Sequence, residues 1–255
     1  MLTIEVFRDR FQQLTAGWTW QVQGFLDDAN NVHPIDTDTK VISTVFERLA
    51  GPVVRTIAKE FDYVVELANQ TTYPDFTLTQ ANPKPGTKPH RIALDIKTTY
   101  RSRVMKFTLG GYNSFLRNDT KNILYPYSTF QEHWVLGFIY TQRAPAAPYL
   151  LGELPKPGEI ECPYENVFSF IRRKEEITGL SPGSGNTKNI GSIQLTSAEE
   201  FASASGPFSQ FGLAKEASDF YWKNYGSFEG KLDARAIGTD PRFAKFARKP
   251  EGRKP

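Results

Sequence analysis

Residues Trp134-Val135-Leu136-Gly137-Phe138-Ile139-Tyr140-Thr141 form one continuous apolar run. It is far shorter than the roughly 20 residues that cross a bilayer, so it reads as a strand buried inside a globular core. Strand-like segments at 62–67, 74–79, 91–97 and 104–108 surround it in the sequence. The stretch 81–89 holds three prolines and a glycine, which marks a hairpin connection. Helical patterns flank these strands. One is a short amphipathic helix over 3–14. Another spans about 39–60, with N-cap candidates from Asp36 to Asp38 and a stripe of Val41, Val45, Leu49 and Val53. Pro52 predicts a kink, or a break after Leu49. A strand is predicted at 18–22, a turn at Gly110-Gly111, short helices at 113–118, 197–204 and 216–226, and a Pro-rich loop over 144–158. Together these predict an α/β (α+β) fold, a mixed central β-sheet flanked by helices.

A chain of 255 residues is long enough for a full core without staples. Its single cysteine, Cys162, makes no internal disulfide, and no Cys/His spacing matches a zinc site. The first residues lack the basic-then-apolar pattern of a signal peptide, which leads to the expectation of a cytoplasmic protein with no membrane segment. The formal charge is only +3, but residues 231–255 carry eight Lys/Arg against three acids. Such a stretch either meets phosphates or stands as a solvated end.

Chemistry concentrates in Tyr73-Pro74-Asp75 and Asp95-Ile96-Lys97, with Glu47 upstream on the long helix, off its apolar stripe. In a strand, residues i and i+2 share a face, so Asp95 and Lys97 project together while Ile96 turns to the core. Asp75 opens the neighbouring strand, one hairpin away, and the fold-back brings it beside Asp95. Two carboxylates held close repel, and a hard divalent cation relieves that repulsion; Mg²⁺ favours one or two carboxylates plus water and phosphate oxygens. Lys97 beside such an ion suits electrostatic stabilisation and water positioning better than general-base work, because neighbouring acids favour its charged form. An isolated Asp-x-Lys triplet is usually a structural salt bridge; the pairing across adjacent strands is what points to phosphodiester hydrolysis.

A second segment, Gly183-Ser184-Gly185-Asn186-Thr187, is small, polar and glycine-rich. Glycines allow close backbone approach. Asn186 offers donor and acceptor together to a base edge, and Thr187 offers a methyl group. On its own such a stretch is an ordinary surface turn; beside a candidate phosphodiesterase site it suggests sequence reading.

The strings Asp38-Thr39-Lys40-Val41, Tyr73-Pro74-Asp75-Phe76, Asp95-Ile96-Lys97-Thr98-Thr99-Tyr100, Lys106-Phe107-Thr108-Leu109-Gly110-Gly111-Tyr112, Thr120-Lys121-Asn122-Ile123, Gly183-Ser184-Gly185-Asn186-Thr187 and Asn189-Ile190-Gly191-Ser192-Ile193 closely resemble the EcoRV-like type II restriction endonucleases. The likeness runs with gaps from about residue 30 to 225. It implies the restriction-endonuclease-like fold of the PD-(D/E)-x-K nucleases, with Asp75 and Asp95 as Mg²⁺ ligands (Mn²⁺ able to substitute), Lys97 as the catalytic lysine and Glu47 as an accessory acid and metal ligand. It further implies a homodimer on double-stranded DNA, blunt cutting of GATATC with 5′-phosphate products, and a cognate DNA methyltransferase as functional partner. By the same resemblance, residues 183–187 enter the major groove and Gln70 lies on a minor-groove loop. Lys40, Thr98, Thr99, Ser114 and Lys121 meet the DNA backbone, contacts that position without specifying. Thr71 and Lys188 depart from the pattern beside the two reading segments, and the chain diverges after Tyr225.

The expected organisation is a dimerisation and catalytic part over 1–142 and a DNA-reading part over 143–255, within one continuous unit or as two. Competing readings are a repair or junction nuclease of the same fold, which the reading loop argues against, and a DNA-binding protein without catalysis, which the intact Asp75, Asp95 and Lys97 argue against. A purely structural domain leaves the joint motifs unexplained.

Overall fold

The computed structural model describes residues 1–69, 71–118, 122–144, 149–150, 152–183 and 188–247. Gln70, Lys121 and the reading-loop residues Ser184, Gly185, Asn186 and Thr187 lie outside them, as do 248–255 of the basic stretch.

Helix α1 (Ile4–Leu14) starts where the Thr3 side chain accepts from the Val6 amide, and it buries Ile4, Phe7 and Phe11 along one face. Strands β1 (Gly24–Leu26) and β2 (Val32–Pro34) form a small antiparallel ribbon. The strand expected at 18–22 does not form. Trp20 there takes a left-handed backbone, φ 62°, and stacks its ring on Phe11 at 5.8 Å; aromatic burial, rather than pairing, decides that segment.

Helix α2 (Thr39–Glu60) is capped by Asp38, whose carboxylate accepts from the Lys40 amide at 2.7 Å. The expected break after Leu49 does not occur: the helix runs through Pro52. Ile42, Phe46 and Ala50 before the proline and Val53, Val54 and Ile57 after it are buried in one core, and that burial exceeds the roughly 3 kcal/mol an internal proline costs. The buried face centres on Ile42 and Phe46, leaving Val41 and Leu49 at its rim.

Strands β3 (Tyr63–Leu67), β4 (Phe76–Gln80), β5 (Arg91–Tyr100), β7 (Glu132–Gln142) and β8 (Tyr164–Arg173) make a five-stranded sheet in the order β3-β4-β5-β7-β8, with β6 (Thr108–Gly111) placed elsewhere. All neighbours are antiparallel except β5 and β7, which run parallel. The expected hairpin at 81–89 joins β4 to β5. The apolar run of β7 is buried on both faces. Trp134, Leu136, Phe138 and Tyr140 join the core under α1 and α2, while Val135 and Ile139 join a second core on the other side. This is a mixed α/β fold with a central sheet flanked by helices.

The second core is closed by a three-stranded sheet, β6-β10-β9, formed with β9 (Thr178–Pro182) and β10 (Asn189–Ser192). A one-turn helix, α3 (Lys174–Ile177), links β8 to β9, and helices α4 (Ala214–Lys223), α5 (Tyr225–Phe228) and α6 (Ala236–Thr239) pack beyond. The strand expected at 104–108 reduces to one bridge between Met105 and Leu195. Gly110 and Gly111 lie inside β6 instead of forming a turn. Gly110 has φ +92°, and a Cβ there would stand 2.3 Å from the Phe115 ring, so the strand bends around that side chain. The stretch at 113–117 is helical, as expected, and 197–204 yields only a short 3-10 turn, Glu199–Ala202. The basic C-terminal stretch is folded at least to Ala247, since Ile237, Phe243 and Phe246 are buried in the second core. Among the described residues, no helix is long and apolar enough to cross a membrane.

Candidate active site

Pairing of β4 with β5 sets Phe76 opposite Leu94. Asp75 immediately precedes that pair on one side and Asp95 follows it on the other, so the two acids come together. Strand β4 starts only at Phe76, later than the sequence suggests, so Asp75 sits in the approach to the strand and its side chain takes over the ladder: Oδ2 accepts the Ile96 amide hydrogen at 2.6 Å. The preceding Tyr73–Pro74 peptide bond is cis. On β5, the period of two places Asp95 and Lys97 on one face, and the Lys97 ammonium donates to Asp95 Oδ2 at 2.5 Å and to the Ile96 carbonyl at 3.1 Å. Ile96 faces the α2 core, as its alternation predicts.

The electrostatics fit a crowded acid pair. Burial, and then the charge of Asp95, push the Asp75 carboxyl up to about 7, although Lys97 and the Ile96 amide act in the opposite direction. Burial acts to lower Lys97, but Asp95, Asp75 and Glu47 outweigh it, so its pKa is raised and it is a firm cation near neutrality. Glu47 on α2 therefore acts on both groups through its charge. Among the described residues, no three Asp, Glu, His or Cys side chains converge closely enough to hold an ion by themselves.

The donors brought together are both carboxylates, Asp75 and Asp95, near enough for the charge of Asp95 to raise the Asp75 pKa. That is the donor set of a hard divalent cation, which keeps water and phosphate oxygens for its remaining positions. The Lys97 ammonium now answers the excess negative charge. The site fits such an ion on these grounds.

Of the remaining candidates, Thr98 and Thr99 continue β5 beyond Lys97, partly buried, and Ser114 lies in the helical turn after β6. Lys40 is exposed at the start of α2. Gly183 is buried at the end of the β9–β10 hairpin, its amide donating to the Asn189 carbonyl at 3.1 Å. A Cβ on Gly183 would stand 2.6 Å from Thr108 Oγ1. Its glycine is needed by the stem of the loop, whatever the tip does.

Sequence reasoning missed the interior behind the acids. Tyr73 shares a hydrogen bond with Nδ1 of buried His133 at 2.7 Å, and Tyr127 stacks on that imidazole at 3.9 Å. Burial drives the His133 pKa far down, so the ring is neutral. Lys174 is buried behind these rings, and the half-buried Asp219 accepts from Tyr127 at 3.4 Å and pairs with Lys215 at 3.2 Å. In the sequence, Arg172-Arg173-Lys174-Glu175-Glu176 reads as a solvated charge run and carries no sign of burial.

Comparison with known proteins gives two matches. The family model described as "Restriction endonuclease EcoRV" matches residues 16–246. The Escherichia coli protein "Type II restriction enzyme EcoRV" is 41% identical over 214 residues, covering 81% of this chain and 82% of that protein.

Proposed function

Because this chain belongs to the EcoRV family of restriction endonucleases, and so to the enzymes that cleave DNA at specific sites, we propose that it hydrolyses double-stranded DNA at a short palindrome, with Asp75, Asp95 and Lys97 gathered at the scissile phosphate. The observation that carries this assignment is the meeting of three groups: Asp75 Oδ2 accepts the Ile96 amide hydrogen at 2.6 Å, next to Asp95, whose carboxylate holds the Lys97 ammonium at 2.5 Å. Asp75 and Asp95 would hold the ion, which we take to be Mg²⁺, with Mn²⁺ able to replace it; Glu47, expected from the sequence as a further ligand, does not converge with them and instead adds negative charge from α2. When bound, the ion supplies Lewis acidity to the phosphoryl group and its attacking water. Lys97 steadies that water and meets the charge that builds on the phosphate. Water attacks in line and the 3′-oxygen leaves, giving 5′-phosphate ends.

The finer reading follows the family. The site is GATATC, cut in its middle to blunt ends. Its central TA step is easily unstacked, so the energy of bending adds discrimination there without contact, and the bend brings the phosphate to the acids. Residues 183–187 read the major groove, Gln70 the minor groove, and Lys40, Thr98, Thr99, Ser114 and Lys121 hold the backbone. A twofold homodimer matches a palindrome, and the exposed Phe25 and Leu26 on β1, with Trp18 before them, provide apolar surface for it. In this arrangement 1–142 carries dimerisation and catalysis and 143–255 carries reading. The enzyme works in the cytoplasm beside a cognate methyltransferase.

Plasmid DNA incubated with the protein and Mg²⁺ tests the proposal. Discrete fragments, with end sequences that give one palindrome and a central cut, are expected. A smear would point to a repair nuclease, and a gel shift without cutting to a silent binder.

A further inference from the structure

Lys174 is 4% exposed, and among the described residues its ammonium has no hydrogen-bond partner. Three aromatic rings surround it: Tyr73 at 5.1 Å, Phe115 at 5.2 Å and Tyr127 at 5.3 Å from Nζ to ring centre. Tyr73 packs on Phe115 at 4.4 Å and is the residue from which Pro74 and Asp75 continue. Burial lowers the Lys174 pKa to about 8; against it, Asp95 and then Asp219 favour the cation, while Lys97 and Lys215 oppose it. Lys97 reaches Asp95 with its side chain 23% exposed; Lys174 acts on the same carboxylate from the closed interior.

A buried ammonium without a hydrogen bond is costly, and aromatic faces return only part of that cost. A methionine of similar length would fill the cage without it, and replacing buried charge by well-packed apolar groups is often neutral or stabilising. The fold therefore has no need of this charge, whereas two crowded acids and an incoming phosphate do.

We propose that Lys174 is a positioning residue of the cleavage reaction: its caged ammonium fixes the Tyr73–Pro74–Asp75 arm against β5 and offsets the negative charge of Asp95 from inside the protein. The inference rests on the active-site assignment made above. Two consequences follow. Removing the charge makes the acid pair more negative, so a divalent ion binds more tightly. It also frees the arm that carries Asp75, so turnover falls, because small misplacements of reacting groups are expensive in rate.

The test is Lys174→Met in the full chain. Its melting temperature without metal is expected to equal or exceed that of the parent. Mg²⁺ affinity, read from the metal-induced shift in melting without DNA, is expected to tighten by about three- to tenfold. The kcat for plasmid cleavage at saturating Mg²⁺ is expected to fall by at least about tenfold, with KM for DNA changed by far less. A markedly lower melting temperature, an unchanged metal affinity, or an unchanged kcat would each overturn the proposal. Lys174→Arg keeps the charge and is expected to bind Mg²⁺ as the parent does; an affinity equal to that of Lys174→Met would assign the effect to shape and equally overturn it. Asp95→Ala, run alongside, separates this inference from its foundation. Cutting that survives in D95A sinks the active-site assignment; cutting that survives only in K174M sinks the role of Lys174 alone.

Discussion

The Asp75 carboxylate accepts the main-chain amide hydrogen of Ile96 at 2.6 Å. A side chain thereby completes the β4–β5 ladder where β4 has not yet begun, and the same carboxylate is the one proposed to hold the ion.

Asp75→Asn separates them. The amide side chain retains a carbonyl oxygen for Ile96, so below about pH 4, where the parent carboxyl is protonated, melting is expected to stay near that of the parent, while cleavage at neutral pH drops below detection. Asp75→Ala loses both functions and is expected to melt lower by about 1 kcal/mol, the worth of one hydrogen bond to a partly buried amide. Thermal melts of the two variants beside a plasmid assay decide it, and equal melting of the two would show that the Ile96 bond contributes nothing.

Asp95→Ala is expected to abolish cutting with the fold intact. It relieves the repulsion that helps to push Asp75 up to about 7 but leaves the Lys97 ammonium without its carboxylate, so a thermal melt run beside the assay checks that the variant is folded. Activity within a few-fold of the parent would remove Asp95 from the metal site.

Asp75 also predicts how stability responds to acid. Its ordinary pKa is 3.8 and in the fold it rises to about 7, so between those values the folded chain holds a proton that the unfolded chain has released. Stability from this group is full below about pH 4 and is lost as the pH rises towards 7. Without divalent ion, the parent is expected to lose melting temperature across that window relative to Asp75→Asn. Added Mg²⁺ favours the ionised carboxylate and should restore the difference at the upper end. Parallel melting curves for parent and variant across the window would refute the raised value.

The loop stem and the loop tip make separate predictions. Gly183→Ala places a methyl group 2.6 Å from Thr108 Oγ1 and is expected to destabilise the protein by about 1–3 kcal/mol through overpacking. Asn186→Ala is expected to reduce discrimination by about 1–3 kcal/mol if its base contact is bidentate. Chemical denaturation checks the first, and the ratio of cognate to mismatched cutting checks the second.

The acid pair and Lys97 were legible because strand alternation and one Pro/Gly-rich connection fix which side chains meet, and both are local. The helix over 39–60 was legible down to its Asp38 cap. What failed depended on distant partners. Pro52 reads as a breaker until the core on both sides of it is known. Gly110-Gly111 reads as a turn until Phe115 is seen lying against the strand. Trp18 to Val22 reads as a strand until Trp20 is found stacked on Phe11. Lys174 was invisible for the same reason: five consecutive charges signal solvent, and only the packing of α3 against α4 and the Tyr73 cage removes the water.

Helix α3 runs without a break into β9, and β9 ends at the segment proposed to read the groove. Directed evolution of new site preferences that randomises this stretch will therefore disturb hydrolysis as well as selectivity. Libraries confined to 184–188, with Lys174 to Pro182 held constant, give the better chance of retargeting the enzyme without silencing it.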